Sequence, residues 1–153
     1  MVDDRPRRVR RAPVIVAIAA LVVLADQASK TWALNSLEAG PRHVIGPLQF
    51  KLSFNSGAAF GLGKGFGPFL LAAGVGVVLY LVRYSRHLTG LLPNVALALV
   101  LAGATGNLVD RLIRGHGGAV VDFIDLGWWP TFNVADSAIV CGAVLLVLVS
   151  GRE

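Results

Sequence analysis

Four aspartates lie within the apolar stretches of this chain or about one turn from them: Asp26, Asp110, Asp122 and Asp136. The sequence around them is strongly apolar, with 55% hydrophobic residues and a mean hydropathy of +0.68. A carboxylate at the depth of a lipid bilayer costs about 2.5–3.5 kcal/mol on insertion scales, so its presence there calls for a functional reason. These four positions are therefore the first candidates for a site.

Asp122 and Asp136 are the pair best suited to catalysis. Two carboxylates that lie close together cannot both ionise cheaply, so they share a proton across neutral pH. One then deprotonates a water molecule while the other donates to the carbonyl oxygen of a peptide bond, as in aspartic proteases. Asp125, three residues after Asp122, is predicted to face the opposite side of a strand and to be solvated.

The sequence does not contain the motifs of other classes of hydrolase. It contains neither Gly-x-Ser-x-Gly nor His-Glu-x-x-His, and its three histidines, at positions 43, 87 and 116, are scattered. We therefore expect no metal and no cofactor. The single cysteine, Cys141, lies within an apolar block and is predicted to be a small buried packing residue.

Four apolar blocks organise the chain, at residues 12–34, 66–82, 93–112 and 133–149. A membrane-spanning helix needs about 20 residues, with about 17 near the lower limit. We predict an all-α integral membrane protein with four transmembrane helices: residues 1–11 form a basic cytoplasmic tail, and residues 12–153 form the membrane domain. A cleavable signal peptide is the alternative for the first block, but the apolar pattern resumes after Lys30.

The distribution of basic residues predicts the orientation. Five arginines precede the first block, Arg83 and Arg86 separate the second from the third, and Arg152 follows the fourth. Because cytoplasmic loops carry the excess of Lys and Arg, both termini are predicted to be cytoplasmic. This topology accounts for the pI of about 10.1, so no nucleic-acid partner is expected.

With this orientation, the unusual polar residues converge at the outer-leaflet boundary. The outer segments are predicted to contribute a small extracytoplasmic β region. Residues 48–54 alternate between apolar and polar, and residues 120–126 are rich in β-branched and aromatic side chains. The three tryptophans, Trp32, Trp128 and Trp129, suit the headgroup level.

Several further polar residues have two interpretations each. Asp26 and Lys30 are spaced to pair on one helical face, either as a simple ion pair or as a support for the site. Asn107, Asp110 and Arg111 share a helical face, either as polar contacts between helices or as substrate contacts. Arg111 is the better candidate for a substrate contact, because a guanidinium can hold a carbonyl or phosphate-level oxygen.

Two asparagines also have two interpretations each. Asn133 precedes the fourth block, where asparagine is a preferred helix N-cap, and it is also placed to position Asp136. Asn55 follows the first predicted strand and precedes a glycine-rich stretch. It either stabilises that loop or belongs to the site.

Five motifs occur in order along the chain and together resemble those of the bacterial lipoprotein signal peptidases, the signal peptidase II family. They are Asp26-Gln-Ala-Ser-Lys30, Asn55-Ser-Gly-Ala-Ala-Phe60, Gly103-Ala-Thr-Gly-Asn107-Leu-Val-Asp110-Arg111, Val121-Asp122-Phe123 and Phe132-Asn133-Val-Ala135-Asp136. The resemblance covers nearly the whole chain after the basic tail.

The resemblance implies an aspartic endopeptidase of the bacterial cytoplasmic membrane. Its substrates would be diacylglyceryl-modified prolipoproteins in the bilayer, cut just before the modified cysteine, and we expect it to act as a monomer. Asp122 and Asp136 would be the catalytic pair. The supporting or substrate-binding positions would be Asp26, Lys30, Asn55, Asn107, Asp110, Arg111, Asn133 and Ala135.

Two other classes of protein compete with a protease. A carrier of protons or ions would place ionisable groups along the full depth of the bilayer. Here those groups stop at one boundary. A scaffold protein would not need two carboxylates, one in a loop and one at a helix start. The residue pattern therefore favours the protease.

Overall fold

A computed structural model describes residues 12–57 and 90–150 and, between them, residues 72–73, 75–76, 78–80 and 83. The helices are α1 (Ala12–Ser36), α2 (Leu91–Ile113) and α3 (Val134–Ser150). The strands are β1 (Arg42–Ile45), β2 (Leu48–Asn55) and β3 (Val120–Asp125). The chain thus combines apolar helices with a small sheet, as predicted.

Within the described residues, α1 and α2 are long and apolar enough to cross a membrane, and α3 is a shorter apolar helix. The predicted second span, residues 66–82, lies largely outside the described residues, and the residues described between 72 and 83 are helical. The predicted basic tail, residues 1–11, also lies outside them. Helix α2 begins at Leu91, two residues before the proline predicted to open it.

Close approach of backbones holds α2 against α3. A side chain at Gly142 of α3 would place its first carbon 2.6 Å from the Ala96 carbonyl oxygen and 2.7 Å from a Val100 methyl. A side chain at Gly103 of α2 would collide with the Ala135 carbonyl oxygen. Such contacts between small residues let membrane helices pack through van der Waals contact. The packing brings the start of α3 beside the C-terminal half of α2.

Cys141 corrects one prediction. It is exposed rather than buried, as is its neighbour Val140. The reason is the direction of packing: α3 turns Ala135, Ile139 and Gly142 toward α2, so Cys141 lies on another face.

The three strands form an antiparallel sheet in the order β1-β2-β3. Strands β2 and β3 agree with the two predicted β segments, whereas β1 was not anticipated. In the β2–β3 register, Ser53 lies opposite Asp122 and Gln49 lies opposite Asp125. The sheet therefore carries Asp122 on the strand that leads back toward α3.

Aromatic packing attaches the sheet to the end of α1. The Trp32 ring meets Phe50 of β2 edge-on with centroids 5.2 Å apart, and Phe123 of β3 with centroids 6.1 Å apart. Phe123 is buried in one cluster with Ala33 of α1 and Leu37, the residue that follows α1. Burial of large aromatic surface at this junction positions β3 relative to the helices.

Candidate active site

Asp122 is held in the middle of β3 and is only 1% exposed. Its Oδ1 accepts a hydrogen bond of 2.6 Å from Asn133 Nδ2, and the side chain of Asn55 also bonds to it. Asn55 Oδ1 in turn accepts from the Gly57 backbone N–H at 2.9 Å. Asn55 therefore does both things foreseen for it: it stabilises the turn after β2 and it contacts the site.

Asp136 lies in the first turn of α3 and is half-buried. Its Oδ1 accepts from Asn107 Nδ2 at 2.8 Å, and its Oδ2 accepts from the Asn133 backbone N–H at 3.2 Å. Asn133 Oδ1 accepts in return from the Asp136 backbone N–H at 2.8 Å. This reciprocal pair is a capping box, with aspartate in the place of the usual glutamate or glutamine.

Asn133 thus contacts both candidate carboxylates. Its side-chain amide reaches Asp122 and its backbone amide reaches Asp136. The same side chain donates more weakly to the Val121 carbonyl at 3.3 Å and to Asn107 Oδ1 at 3.2 Å. Asn133 is fully buried. Both interpretations of this residue are therefore realised, since it caps α3 and also links the two aspartates.

The environment of Asp122 favours its protonated form. Burial and the neighbouring charge of Asp136 together raise the pKa of Asp122 to about 6, and burial is the larger cause. The hydrogen bonds from Asn55 and Asn133 and the charge of Lys30 oppose the rise. Below about pH 6, Asp122 is therefore the member of the pair that mainly holds a proton.

Lys30 is completely buried, and its ammonium meets three acceptors. Its Nζ lies 2.9 Å from Asp26 Oδ2, 2.9 Å from Asp110 Oδ2 and 3.1 Å from Asn107 Oδ1. Three acceptors match the three N–H donors of an ammonium. The predicted pair with Asp26 is present, and the pair with Asp110 extends it from α1 to α2.

Asp26 reaches a third helix. Its Oδ1 accepts from the buried Ala135 backbone N–H at 2.9 Å, next to Asp136 in the first turn of α3. The contact needs Gly106, because a side-chain carbon there would lie 2.5 Å from Asp26 Oδ2. Asp26 therefore fixes the start of α3 relative to α1, which is more than a helical ion pair does.

Asp110 likewise connects α2 to strand β3 of the sheet. Its Oδ2 accepts from the Val121 backbone N–H at 3.0 Å, one residue before Asp122. Its Oδ1 accepts from Arg114 Nε at 2.9 Å. Asp110 and Asn107 are thus polar contacts between elements, and each is bonded directly to a candidate carboxylate or to its neighbour.

Arg114 and Gln27 were not anticipated. Arg114 donates to Gln27 Oε1 at 2.7 Å, and Gln27 donates to Asp26 Oδ2 at 3.0 Å and to the Gly106 carbonyl at 3.1 Å. With Arg114, the cluster of Asp26, Asp110 and Lys30 has two negative and two positive charges. The sequence feature that could have predicted Arg114 is its four-residue spacing from Asp110, which lets the two side chains pair.

Arg111 is the one member of its predicted group with spare hydrogen-bonding capacity. Its Nη1 donates a long bond of 3.4 Å to the Asn107 carbonyl. Its Nε is buried, and the described part of the chain offers it no acceptor. A buried donor without a partner is costly, so this nitrogen is a candidate contact for a substrate oxygen.

Asp125 corrects a second prediction, because it is only 7% exposed rather than solvated. Its carboxylate accepts from the Gly127 backbone N–H at 2.7 Å and from Gln49 Nε2 at 2.9 Å. These bonds hold the pKa of Asp125 below its usual range. The strand register places Gln49 directly opposite, and this cross-strand partner is the reason for the burial.

Comparison with known proteins gives one consistent family. The family model described as "Signal peptidase (SPase) II" matches residues 18–151. A lipoprotein signal peptidase of Rhodococcus jostii is 44% identical over 146 residues, covering 92% of this chain and 74% of the relative. One of Mycobacterium avium is 42% identical over 153 residues, covering 97% and 82%.

Solved structures agree with this result. A bacterial membrane enzyme solved at 2.3 Å is 31% identical, with a TM-score of 0.80 over 92% of this chain and 88% of that chain. A second, solved at 1.9 Å, is 30% identical, with a TM-score of 0.80 over 90% and 92%. The chain therefore belongs to the signal peptidase II family.

Proposed function

We propose that this protein is an aspartic endopeptidase of the membrane that removes the signal peptide from prolipoproteins. The relatives named lipoprotein signal peptidase support the substrate class. One structural observation carries the aspartic mechanism: Asn133 contacts both Asp122 and Asp136, whose surroundings differ. Asp122 is buried with a raised pKa, while Asp136 is half-buried and accepts hydrogen bonds at both oxygens.

We assign the roles of general base and general acid from this difference in the surroundings of the two aspartates. Asp136, whose two oxygens each accept from an amide N–H, is the ionised base that takes a proton from water. The resulting hydroxide adds to the carbonyl carbon of the scissile peptide bond. Asp122, the protonated member, gives its proton to the carbonyl oxygen, so a neutral tetrahedral diol forms.

Breakdown of the diol restores the enzyme. Asp136 returns its proton to the peptide nitrogen as the carbon–nitrogen bond breaks. Asp122 takes back a proton from one hydroxyl of the diol, and the carboxylic acid product leaves. The buried Nε of Arg111 is then a donor for another carbonyl oxygen of the substrate, which would orient the bond between the two aspartates.

The lipid-modified substrate fits the placement of this site. The ionisable cluster of Asp26, Lys30 and Asp110 is confined to one end of the helices, at the side that carries the sheet. This confinement argues against a carrier, which needs groups along the whole depth. A diacylglyceryl group would hold the substrate at that depth, and cleavage would fall just before the modified cysteine.

The full topology belongs to the same proposal. We propose four transmembrane helices in the bacterial cytoplasmic membrane, with both termini in the cytoplasm and the sheet outside. Two long apolar helices, the shorter α3 and helical residues between 72 and 83 support the count. The arginines that precede α1, precede α2 and follow α3 in the sequence support the direction.

The decisive experiment compares two precursors of one lipoprotein with the purified protein. The precursor with a diacylglyceryl-modified cysteine should be cut, and the unmodified precursor should be cut poorly even at high concentration in detergent. Lipid modification acts by alignment, which is worth several orders of magnitude in favourable cases. Equal cleavage of both precursors would refute the proposed requirement for the lipid modification.

A further inference from the structure

The loop between β3 and α3, residues 126–131, presents two adjacent indole rings. We call it the Trp loop. Trp128 is 73% exposed and Trp129 is 56% exposed, and their rings meet edge-on with centroids 5.8 Å apart. The proposed reaction uses neither ring. A pair of indoles exposed to this extent on a protein surface needs a partner, since it removes little of its own apolar area from water.

The Trp loop is built as a closed and stiff unit. At its base, Ile124 and Phe132 exchange two backbone hydrogen bonds, of 2.8 and 3.0 Å. At its start, Asp125 accepts from the Gly127 N–H, and Gly127 has the positive φ of 78° that suits glycine. Asp125, which the mechanism leaves unused, thus fixes the turn that carries the two rings.

The position of the Trp loop indicates that lipid headgroups cover it. Trp129 is four residues before Asn133, the cap of the apolar helix α3, and four residues reach at most about 14 Å even when extended. Leu112 and Ile113, in the last turn of α2, are further exposed apolar residues. An indole combines an apolar body with one N–H donor, which suits the headgroup layer of a bilayer.

We propose that the Trp loop inserts into the phospholipid headgroup layer and sets the depth of the site. The loop connects the strand that carries Asp122 with the helix that carries Asp136. Because its base is closed by backbone bonds, a fixed depth of the rings fixes the depth of both carboxylates. The lipid contact does not depend on the proposed reaction, whereas the effect on cleavage rests on it.

Fluorescence tests the lipid contact without any activity. The full chain with Trp32→Phe, reconstituted in phosphatidylcholine vesicles, emits only from Trp128 and Trp129. Lipids brominated near the glycerol end of the acyl chain should quench this emission more strongly than lipids brominated near the methyl end, and aqueous iodide should quench it weakly. Strong quenching by iodide would overturn the proposal. So would the absence of quenching by every reagent, which is the result expected if a second copy of the chain covers the rings.

Activity in two environments tests the depth setting. Trp128→Ala with Trp129→Ala should slow cleavage by about tenfold in vesicles and leave it nearly unchanged in detergent micelles, which impose no fixed depth. Val147→Ala, at an exposed apolar position of α3, is the matched control and should change neither rate. Equal losses in both environments would indicate a structural role and overturn the depth setting. If the parent protein cut nothing, the proposed reaction would fail while the quenching result stood.

Discussion

Asn133 and Asp122 are joined by a hydrogen bond of 2.6 Å between a side-chain amide and a buried carboxyl group. The same asparagine caps the helix that carries Asp136. One residue therefore couples the start of a helix to the middle of a strand. This coupling is the reason that two carboxylates fourteen positions apart in sequence belong to one hydrogen-bonded unit.

Replacing either carboxylate should abolish cleavage. Asp122→Asn and Asp136→Asn each remove a group that transfers a proton, so we expect a loss of at least about 10²–10⁴ in rate. Both proteins should still insert in the membrane, which fractionation checks. Asp125→Asn is the control. It keeps Oδ1 for the Gly127 N–H and should reduce activity only mildly. An essential Asp125 beside a dispensable Asp122 would reverse the assignment.

Substitution of Asn133 separates helix capping from the link between the aspartates. Asn133→Ala loses both and should lose most activity and about 1 kcal/mol of stability. Asn133→Ser restores a cap, but its short side chain cannot span to Asp122. We expect stability to recover and activity to stay low. Recovery of both in the serine variant, measured by thermal unfolding and by cleavage, would show that capping alone matters.

The raised pKa of Asp122 predicts a pH dependence of activity. If its protonated form is the acid, kcat/KM should fall as pH rises through about 6. Asn55 lowers this pKa through its hydrogen bond, so Asn55→Ala should move the falling limb to higher pH. A limb that stays in place in Asn55→Ala, measured from pH 4 to 9, would contradict the assignment of the acid.

The same pKa predicts how stability changes with pH. In the unfolded chain Asp122 titrates near 3.8, and in the folded protein near 6. Between these values the folded state binds more protons, so stability falls as pH rises and levels off above about 6. The change is on the order of 3 kcal/mol. Chemical unfolding in detergent measures it, and Asp122→Asn should remove this component.

Lys30 should be more costly to replace than the arginine that shares its cluster. Lys30→Ala leaves Asp26 and Asp110 buried, and among the described residues Arg114 then remains as an ion-pair partner of Asp110, so the change costs about 3–5 kcal/mol. Adding Asp26→Asn removes one of the unpaired charges and should restore part of the loss. Arg114→Gln, at a partly exposed position, should cost less. Additive effects in the Asp26 and Lys30 cycle would count against pairing.

The sequence alone determined the apolar helices, two of the three strands and every motif that places the chain in its family. These features are local. Hydrophobic periodicity, the i, i+4 spacing of Asp26 and Lys30 and the alternation in residues 48–54 each depend on residues close in sequence. The asparagine before an apolar helix was likewise recognisable as a cap.

The tertiary structure decided which partner each polar group meets. Lys30 is shared between Asp26 and Asp110 because α1 and α2 lie side by side. Asp125 is buried because strand register sets Gln49 opposite it. Spacing along one helix or strand shows which side chains share a face, but not what that face meets. That depends on how closely the backbones approach, and here glycine at position 106 allows Asp26 to reach α3.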